Sequence, residues 1–348
     1  MKTPSSIRLS VLDQSPVRQG GTARQALLET VQLAQHAEAL GYTRFWVSEH
    51  HNSESLAGTT PEVLMAHLAG QTQHIRIGSG GVMLPHYSAL KVAENFRLLE
   101  GLFPNRIDLG IGRAPGADRL TAQVLNPSNQ FSEQDFIEQL MDLDRYLTDR
   151  ADPETIQTKI KAAPLIDTVP ELWLLSSSGQ SGLFAAYLGM AFTFAHFINP
   201  HGGPEAVQQY REKFRPSTRL PRPEASMAIF VLCADTEEKA QELEDTLALQ
   251  MTLLETGMRG PIPPYATVRD YPLASAQRAR LEYNRQRMVS GTPLQVKMQL
   301  EKLAAEYGVE EIIAVTITYD FQDRLRSYEL LAEAFALQPS TAVQPTLV

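Results

Sequence analysis

Eight short apolar runs, at 8–12, 44–48, 75–80, 106–111, 171–175, 191–197, 226–234 and 311–318, alternate with segments of helical character. Most runs are continuous rather than strictly alternating, as strands are when a parallel sheet is covered on both faces. Eight βα repeats in 348 residues predict an α/β fold, a (β/α)8 TIM barrel. A doubly wound open sheet is the competing architecture. That fold usually carries a glycine fingerprint after its first strand, and here the place reads Asp13-Gln14-Ser15-Pro16. Length alone allows about two domains; the repeat instead puts 1–337 into one barrel, with a frayed tail at 338–348.

Helix signals fall between the runs. Thr22 opens a helix whose stripe includes Leu27, Val31 and Ala34, and Gly41 closes it. Thr60-Pro61-Glu62 is a cap with proline at the first helical position. Asp235-Thr236-Glu237-Glu238 starts another helix. Thr292-Pro293-Leu294-Gln295 is a capping-box pattern, and its helix ends at Gly308. Two stretches fall outside the repeat. The first, 148–169, has little apolar periodicity and is expected to wrap the barrel before strand five. The second, 257–291, opens Gly257-Met258-Arg259-Gly260-Pro261 and carries Arg269, Arg278, Arg280, Arg285 and Arg287. A long irregular insertion before the last βα unit is expected to be a mobile lid near the site.

Listing the carboxyl ends of the strands locates the chemistry, because barrel enzymes draw catalytic groups from those ends. Strand one ends in Asp13 and Gln14, and strand two in Glu49, His50 and His51. Strand three ends in Gly78-Ser79-Gly80-Gly81, strand four in Gly110-Ile111-Gly112-Arg113, and strand five in Ser176-Ser177-Ser178-Gly179-Gln180-Ser181. Strand six ends in His196, with Asn199 and His201 after it. The opposite ends carry Arg8, Arg44, Arg106 and Glu171, read as ordinary surface residues.

Hydroxyls and free N–H groups at the start of a helix make a phosphate or oxyanion cradle. Plain N-capping by serine would account for the serine run alone, but Arg113 on the neighbouring strand adds a fixed charge and favours phosphate. Glycine at 78, 80 and 81 admits close approach of a flat ligand; a simple loop is the bland alternative. Adjacent histidines on a strand end point to opposite sides and do not chelate together, so no metal site is expected. No Gly-x-Ser-x-Gly elbow supports a nucleophilic triad. General acid/base work by one histidine remains, set against two surface loop histidines. Met83, Tyr87, Phe184 and Phe197 are candidates for an apolar pocket, although such residues usually belong to the core.

Net charge of −9 argues against nucleic acid and anionic membrane as partners. No apolar stretch approaches membrane-spanning length and no signal-peptide core is present. The one cysteine, Cys233, lies in an apolar run, is expected to be a buried thiol, and fits a cytoplasmic setting.

These motifs together resemble the bacterial luciferase-like flavin monooxygenases. The resemblance runs through Leu9-Ser10-Val11-Leu12-Asp13, Trp46-Val47-Ser48-Glu49-His50-His51, Gly78 to His86, Arg106 to Arg113, the serine run at 176–181, and a C-terminal Arg324-Leu325-Arg326-Ser327-Tyr328. It implies a barrel that binds reduced FMN delivered by a separate flavin reductase. It implies that O2 adds at the flavin C4a, giving a peroxide that oxygenates a small organic substrate. By the same resemblance His50 is catalytic, and Arg113, Ser177, Ser178, Gly179 and Ser181 hold the flavin phosphate. A non-proline cis peptide is implied at Gly80-Gly81, against the isoalloxazine, and the lid of the family matches 257–291. A homodimer is implied too. In the luciferases proper a reactive cysteine precedes the strand-four arginine; here that place is Gly112, so light emission and substrate class do not carry over. Two other functions compete: an F420-dependent oxidoreductase, and a flavin-binding protein without catalysis.

Overall fold

The computed structural model describes residues 7–113, 116–128, 132–150 and 152–338. The expected tail, apart from Gln338, lies outside them. Nine strands are described: β1 (Arg8–Asp13), β2 (Arg44–Val47), β3 (Arg76–Met83), β4 (Ile107–Gly112), β5 (Glu171–Ser176), β6 (Ala191–Ala195), β7 (Ala225–Cys233), β8 (Met288–Gly291) and β9 (Glu311–Val315). The α-helices are α1 (Ala23–Leu40), α2 (Pro61–Gln71), α3 (Ala89–Leu102), α4 (Arg119–Leu125), α5 (Glu133–Thr148), α6 (Gly179–Leu188), α7 (Gly203–Lys213), α8 (Glu237–Glu255), α9 (Tyr265–Val268), α10 (Ser275–Arg285), α11 (Pro293–Tyr307) and α12 (Phe321–Phe335).

All strand pairings are parallel, and β1 to β7 with β9 close a ring of eight. These eight are the eight apolar runs of the sequence, so the (β/α)8 barrel is the observed fold. Odd and even positions separate two cores. Leu9, Val11, Phe45, Ile77, Leu109, Leu174 and Phe192 pack outward against the helices, whereas Leu12, Trp46, Trp173, Ala228 and Ile313 fill the barrel. Cys233 is buried, and burial pushes its thiol up to about 12.

The helix punctuation holds at α1 and α11. Thr22 and Gln25 form a capping box, and Gly41 and Gly308 close their helices in the left-handed region. The buried stripe of α1 is Ala26, Thr30, Leu33, Ala34 and Ala37, rotated by one residue from the expected Leu27 and Val31. Small residues face the sheet there, and Thr30 Oγ1 donates to Asp13 Oδ2 at 2.5 Å. Asp13 itself turns outward and pairs with buried Arg324 at 2.9 Å, which fastens α12 to β1.

Two expectations need correction. The stretch 257–291 is not irregular: it contains α9, α10 and β8. β8 pairs with the upper half of β7, from Phe230 to Cys233, and continues the edge that β6 leaves after Ala228. The second correction concerns Arg44, which is buried rather than superficial. Its guanidinium reaches Asp108 at 2.9 Å, Glu171 at 2.7 Å and Glu311 at 2.9 Å, and lies 4.6 Å over the Trp173 ring. Arg76 joins Asp108, and Arg8 joins Glu311 and Glu224. In-register pairs Arg8↔Glu311, Arg44↔Arg76 and Asp108↔Glu171 put these charges at one level, the base of the barrel. Arg106 is half-buried and spends its donors on the carbonyls of Ala69, Thr72 and Ile75 past α2. No described helix is long and apolar enough to cross a membrane.

Candidate active site

A cavity of about 230 Å³ opens at the carboxyl ends of the strands. Its floor is Leu12, Trp46, Thr193, Ala195, Ala228 and Ile313, all inward positions of strands. Under the floor, Trp46 meets Trp173 edge-on with ring centroids 5.5 Å apart, and Trp46 Nε1 donates to Asp108 at 2.9 Å. The cavity therefore stands on an aromatic layer that stands on the charged base.

One wall is glycine. The Gly80-Gly81 peptide is cis, as expected. A Cβ at Gly80 would sit 2.6 Å from Leu12 Cδ1, and one at Gly81 would sit 2.8 Å from both Gly110 O and Leu175 Cδ1. A Cβ at Gly112 would lie 2.7 Å from Met83 Cε. At Gly81 the clash is with backbone and no side chain fits; at Gly80 and Gly112 a side chain would have to displace the ends of Leu12 and Met83. Bare backbone thus lines the cavity here, and a planar ligand can lie against it.

The serine run continues the lining around the ring, past β4 to β5. Ser176, Ser177, Ser178 and Ser181 all line the cavity, together with Arg113. Ser178 precedes α6, its N–H donates to Ser176 Oγ at 3.1 Å, and its own hydroxyl caps nothing. Asn199 Nδ2 donates to Ser177 O at 3.0 Å and holds this loop from strand six. Arg113 Nη1 donates to Gln180 Oε1 at 3.2 Å. Hydroxyls, the start of α6 and a guanidinium thus converge on one side of the cavity, a donor set suited to a phosphate. Bare glycine backbone and phosphate donors in one cavity fit a flat phosphorylated cofactor.

The sequence-predicted residues are only partly gathered. Gly80, Gly81, Arg113, Ser177, Ser178 and Ser181 line the cavity; Gly179 and His50 do not. Gly179 begins α6 beside Ser178. His50 lies on the loop after β2, with Nδ1 3.0 Å from Ser48 Oγ and its N–H on Gly58 O. Burial, and secondarily His51, lowers His50 from 6.5 to about 4, so its imidazole is neutral near pH 7. His51 turns to Glu49, 2.8 Å away. His196 faces outward between Tyr307 Oη at 2.8 Å and Gln286 O at 3.1 Å, and works as a packing residue. Met83 and Phe197 line the cavity as suggested, whereas Phe184 and Tyr87 pack against the outer core. Among the described residues no group of three or more His, Cys, Asp or Glu is placed to hold a metal ion. The floor residues went unforeseen. Continuous apolar runs hide which face is inward, and only the strand-start charges Arg44, Asp108 and Glu311 mark it.

A family model for luciferase-like monooxygenases matches residues 7–311. Uncharacterized protein YwcH of Bacillus subtilis (strain 168) is 52% identical over 332 residues, 95% of this chain and 99% of that one. N-acetyl-S-alkylcysteine monooxygenase of the same organism is 36% identical over 331 residues, 94% of this chain and 98% of that one. The crystal structure of apo-MsnO8 superposes with a TM-score of 0.88 at 39% identity, covering 96% of this chain and 99% of that one. Two more distant structures share the fold alone. The oxygenating constituent of 3,6-diketocamphane monooxygenase from Pseudomonas putida, in complex with FMN, has a TM-score of 0.69 at 18% identity, covering 97% of this chain and 99% of that one. An F420-dependent secondary alcohol dehydrogenase with an F420–acetone adduct has a TM-score of 0.67 at 12% identity, covering 95% and 99%. A match over 7–311, joined by relatives aligned through nearly their whole length, makes this chain a member of the luciferase-like monooxygenase family.

Proposed function

We propose that the chain is an FMN-dependent monooxygenase, the oxygenase half of a two-component system fed by a separate flavin reductase. One observation carries this reading: side-chain-free backbone at Gly80-Gly81 and the Arg113–serine donor set line a single cavity from neighbouring strands. In a member of this family, that pairing suits FMN. When bound, reduced FMN supplies the electrons with which one oxygen atom of O2 passes to the substrate and the other leaves as water.

The chain's own residues bind, orient and shield. Arg113, Ser177, Ser178, Ser181 and the N–H groups at Gly179 hold the phosphate. Gly80 and Gly81 let the ring lie against backbone. His50 is neutral, and in the tautomer whose Nδ1–H donates to Ser48 Oγ it offers Nε2 as a proton acceptor. Among the described residues Arg113 is the one charged side chain lining the cavity, which suits a substrate whose reacting part is uncharged. The segment 257–291 serves as the lid that keeps out water. Arg287 Nε on Phe197 O at 2.6 Å, and Tyr283 against His201, tie it to the rim. A cytoplasmic homodimer belongs to the same proposal.

The test is anaerobic titration with reduced FMN and reduced F420 side by side, followed by O2-uptake screening against small organic substrates. FMN binding with substrate-dependent O2 uptake supports the reading. Tight F420 binding without O2 uptake makes the chain a deazaflavin oxidoreductase, and FMN binding without any uptake makes it a non-catalytic carrier.

A further inference from the structure

Glu49 follows β2 and is fully buried, with 0% exposure. Its Oε2 accepts from the Met83 N–H at 2.9 Å, and its Oε1 accepts from Tyr87 Oη at 2.7 Å. His51 Nε2, in the tautomer that carries its proton there, donates to the same Oε1 at 2.8 Å. Each partner belongs to a different part of the rim. Met83 ends β3 and lines the cavity. Tyr87 leads into α3. His51 donates its own N–H to Gly116 O at 3.0 Å, in the loop after β4. The Glu49 carbonyl closes the same corner, since a Cβ at Gly116 would lie 2.7 Å from it and 3.2 Å from Met83 Cγ.

A carboxylate taken wholly out of water is costly unless donors converge on it, and apolar side chains of similar volume often serve stability as well or better. Here every donor comes from the segments that frame the glycine side of the cavity. We infer that Glu49 is a positioning residue for the cavity's ligand: by holding the Met83 N–H it fixes the wall from Gly81 to Met83, and so the width of the slot for a flat ring. The Met83 side chain has little latitude of its own, because it fills the space beside Gly112. This role rests on the reading of the cavity as a flavin site, and acts on the ring rather than on the phosphate.

The test compares Glu49→Asp, Glu49→Gln and Tyr87→Phe by thermal melting and by titration with oxidised FMN and with riboflavin. Aspartate is one methylene short of Met83. Glutamine keeps the length: its carbonyl accepts from Met83, and its amide N–H groups donate to Tyr87 and to the other tautomer of His51. Glu49→Asp is expected to weaken FMN and riboflavin by the same factor, about tenfold, the scale of one lost charge-assisted hydrogen bond. Glu49→Gln is expected to restore both affinities, and Tyr87→Phe to show a smaller loss of the same pattern. Wild-type affinity for both flavins in folded Glu49→Asp, or a loss confined to FMN, overturns the inference. If Glu49→Asp does not fold, wild-type binding in Tyr87→Phe overturns it. A wild-type protein that binds neither flavin overturns the flavin site itself.

Discussion

Replacing Arg44 by methionine tests the charged base of the barrel. The substitution keeps much of the side-chain volume and removes the charge that Asp108, Glu171 and Glu311 share. Asp108 and Glu311 are 0% and 1% exposed at the side chain, so neither can turn to water for compensation. Asp108 retains Arg76 and Trp46 Nε1; Glu311 retains Arg8 and Ser10 Oγ. Removing one partner of a buried ion cluster costs about 3–5 kcal/mol, and the surviving partners place the expected value near the lower end, about 3 kcal/mol. At about 2.1 cal/mol/K of unfolding entropy per residue, a 348-residue domain moves its melting temperature by about 1.4 °C per kcal/mol, so a fall of about 4 °C is expected. The assay is a thermal melt followed by far-UV circular dichroism, with urea unfolding as a second measure. Arg44→Lys should fall between, because one ammonium cannot reach three carboxylates. Because Trp46 and Trp173 separate the base from the cavity, flavin affinity at 20 °C should be unchanged. A melting temperature indistinguishable from wild type, in a variant whose urea midpoint is also unchanged, would show that the cluster contributes nothing net, and would refute this account of the base.

Arg113→Ala should weaken FMN by about ten- to a hundredfold, the range for a charge-assisted contact, while riboflavin affinity stays put; equal weakening would remove the phosphate contact. His50→Ala should keep flavin affinity and abolish substrate-dependent O2 uptake, and unchanged uptake would end its catalytic role. His50 also predicts a pH dependence of stability. Its folded value is about 4 against roughly 6.5 when unfolded, so the unfolded chain takes up the proton first. The contribution is therefore complete above pH 6.5 and is lost as pH falls towards 4, about 3 kcal/mol in all. In His50→Asn the urea midpoint should fall less steeply across that window, and an identical slope would contradict the assignment. Gly81→Ala puts a Cβ 2.8 Å from Gly110 O, and should weaken FMN and riboflavin alike by calorimetry; wild-type binding of both would mean that the wall yields.

The barrel was legible because its strands are covered on both sides. Burial on both faces writes each strand as an apolar run, and eight such runs between capped helices leave few architectures. β8 escaped notice because Met288-Val289-Ser290-Gly291 is short and sits within an arginine-rich stretch. Arg44 was misread because a charged residue at a strand start looks superficial. The signal lies in combination: Arg8, Arg44 and Arg76 on three strands face Asp108, Glu171 and Glu311 on three others, a match that appears only when the strands are placed in register. The mouth was read from glycine and serine runs, whose chemistry is local to the chain. Trp46, Thr193, Ala228 and Ile313 could not be read that way, since their meeting depends on ring closure. Asp13 and His196 show the converse: polar residues at the expected rim, yet turned outward to tie helices in place.

The chain has two tryptophans, and they meet edge-on inside the barrel, with Trp46 lining the cavity and Trp173 beneath it. Tryptophan emission from this protein therefore comes from the floor of the site and the ring just beneath it. An occupant that absorbs near 350 nm will quench it without any label, and the depth of quenching at saturation reads proximity directly. The molecule carries its own optical gauge of whether the mouth is filled.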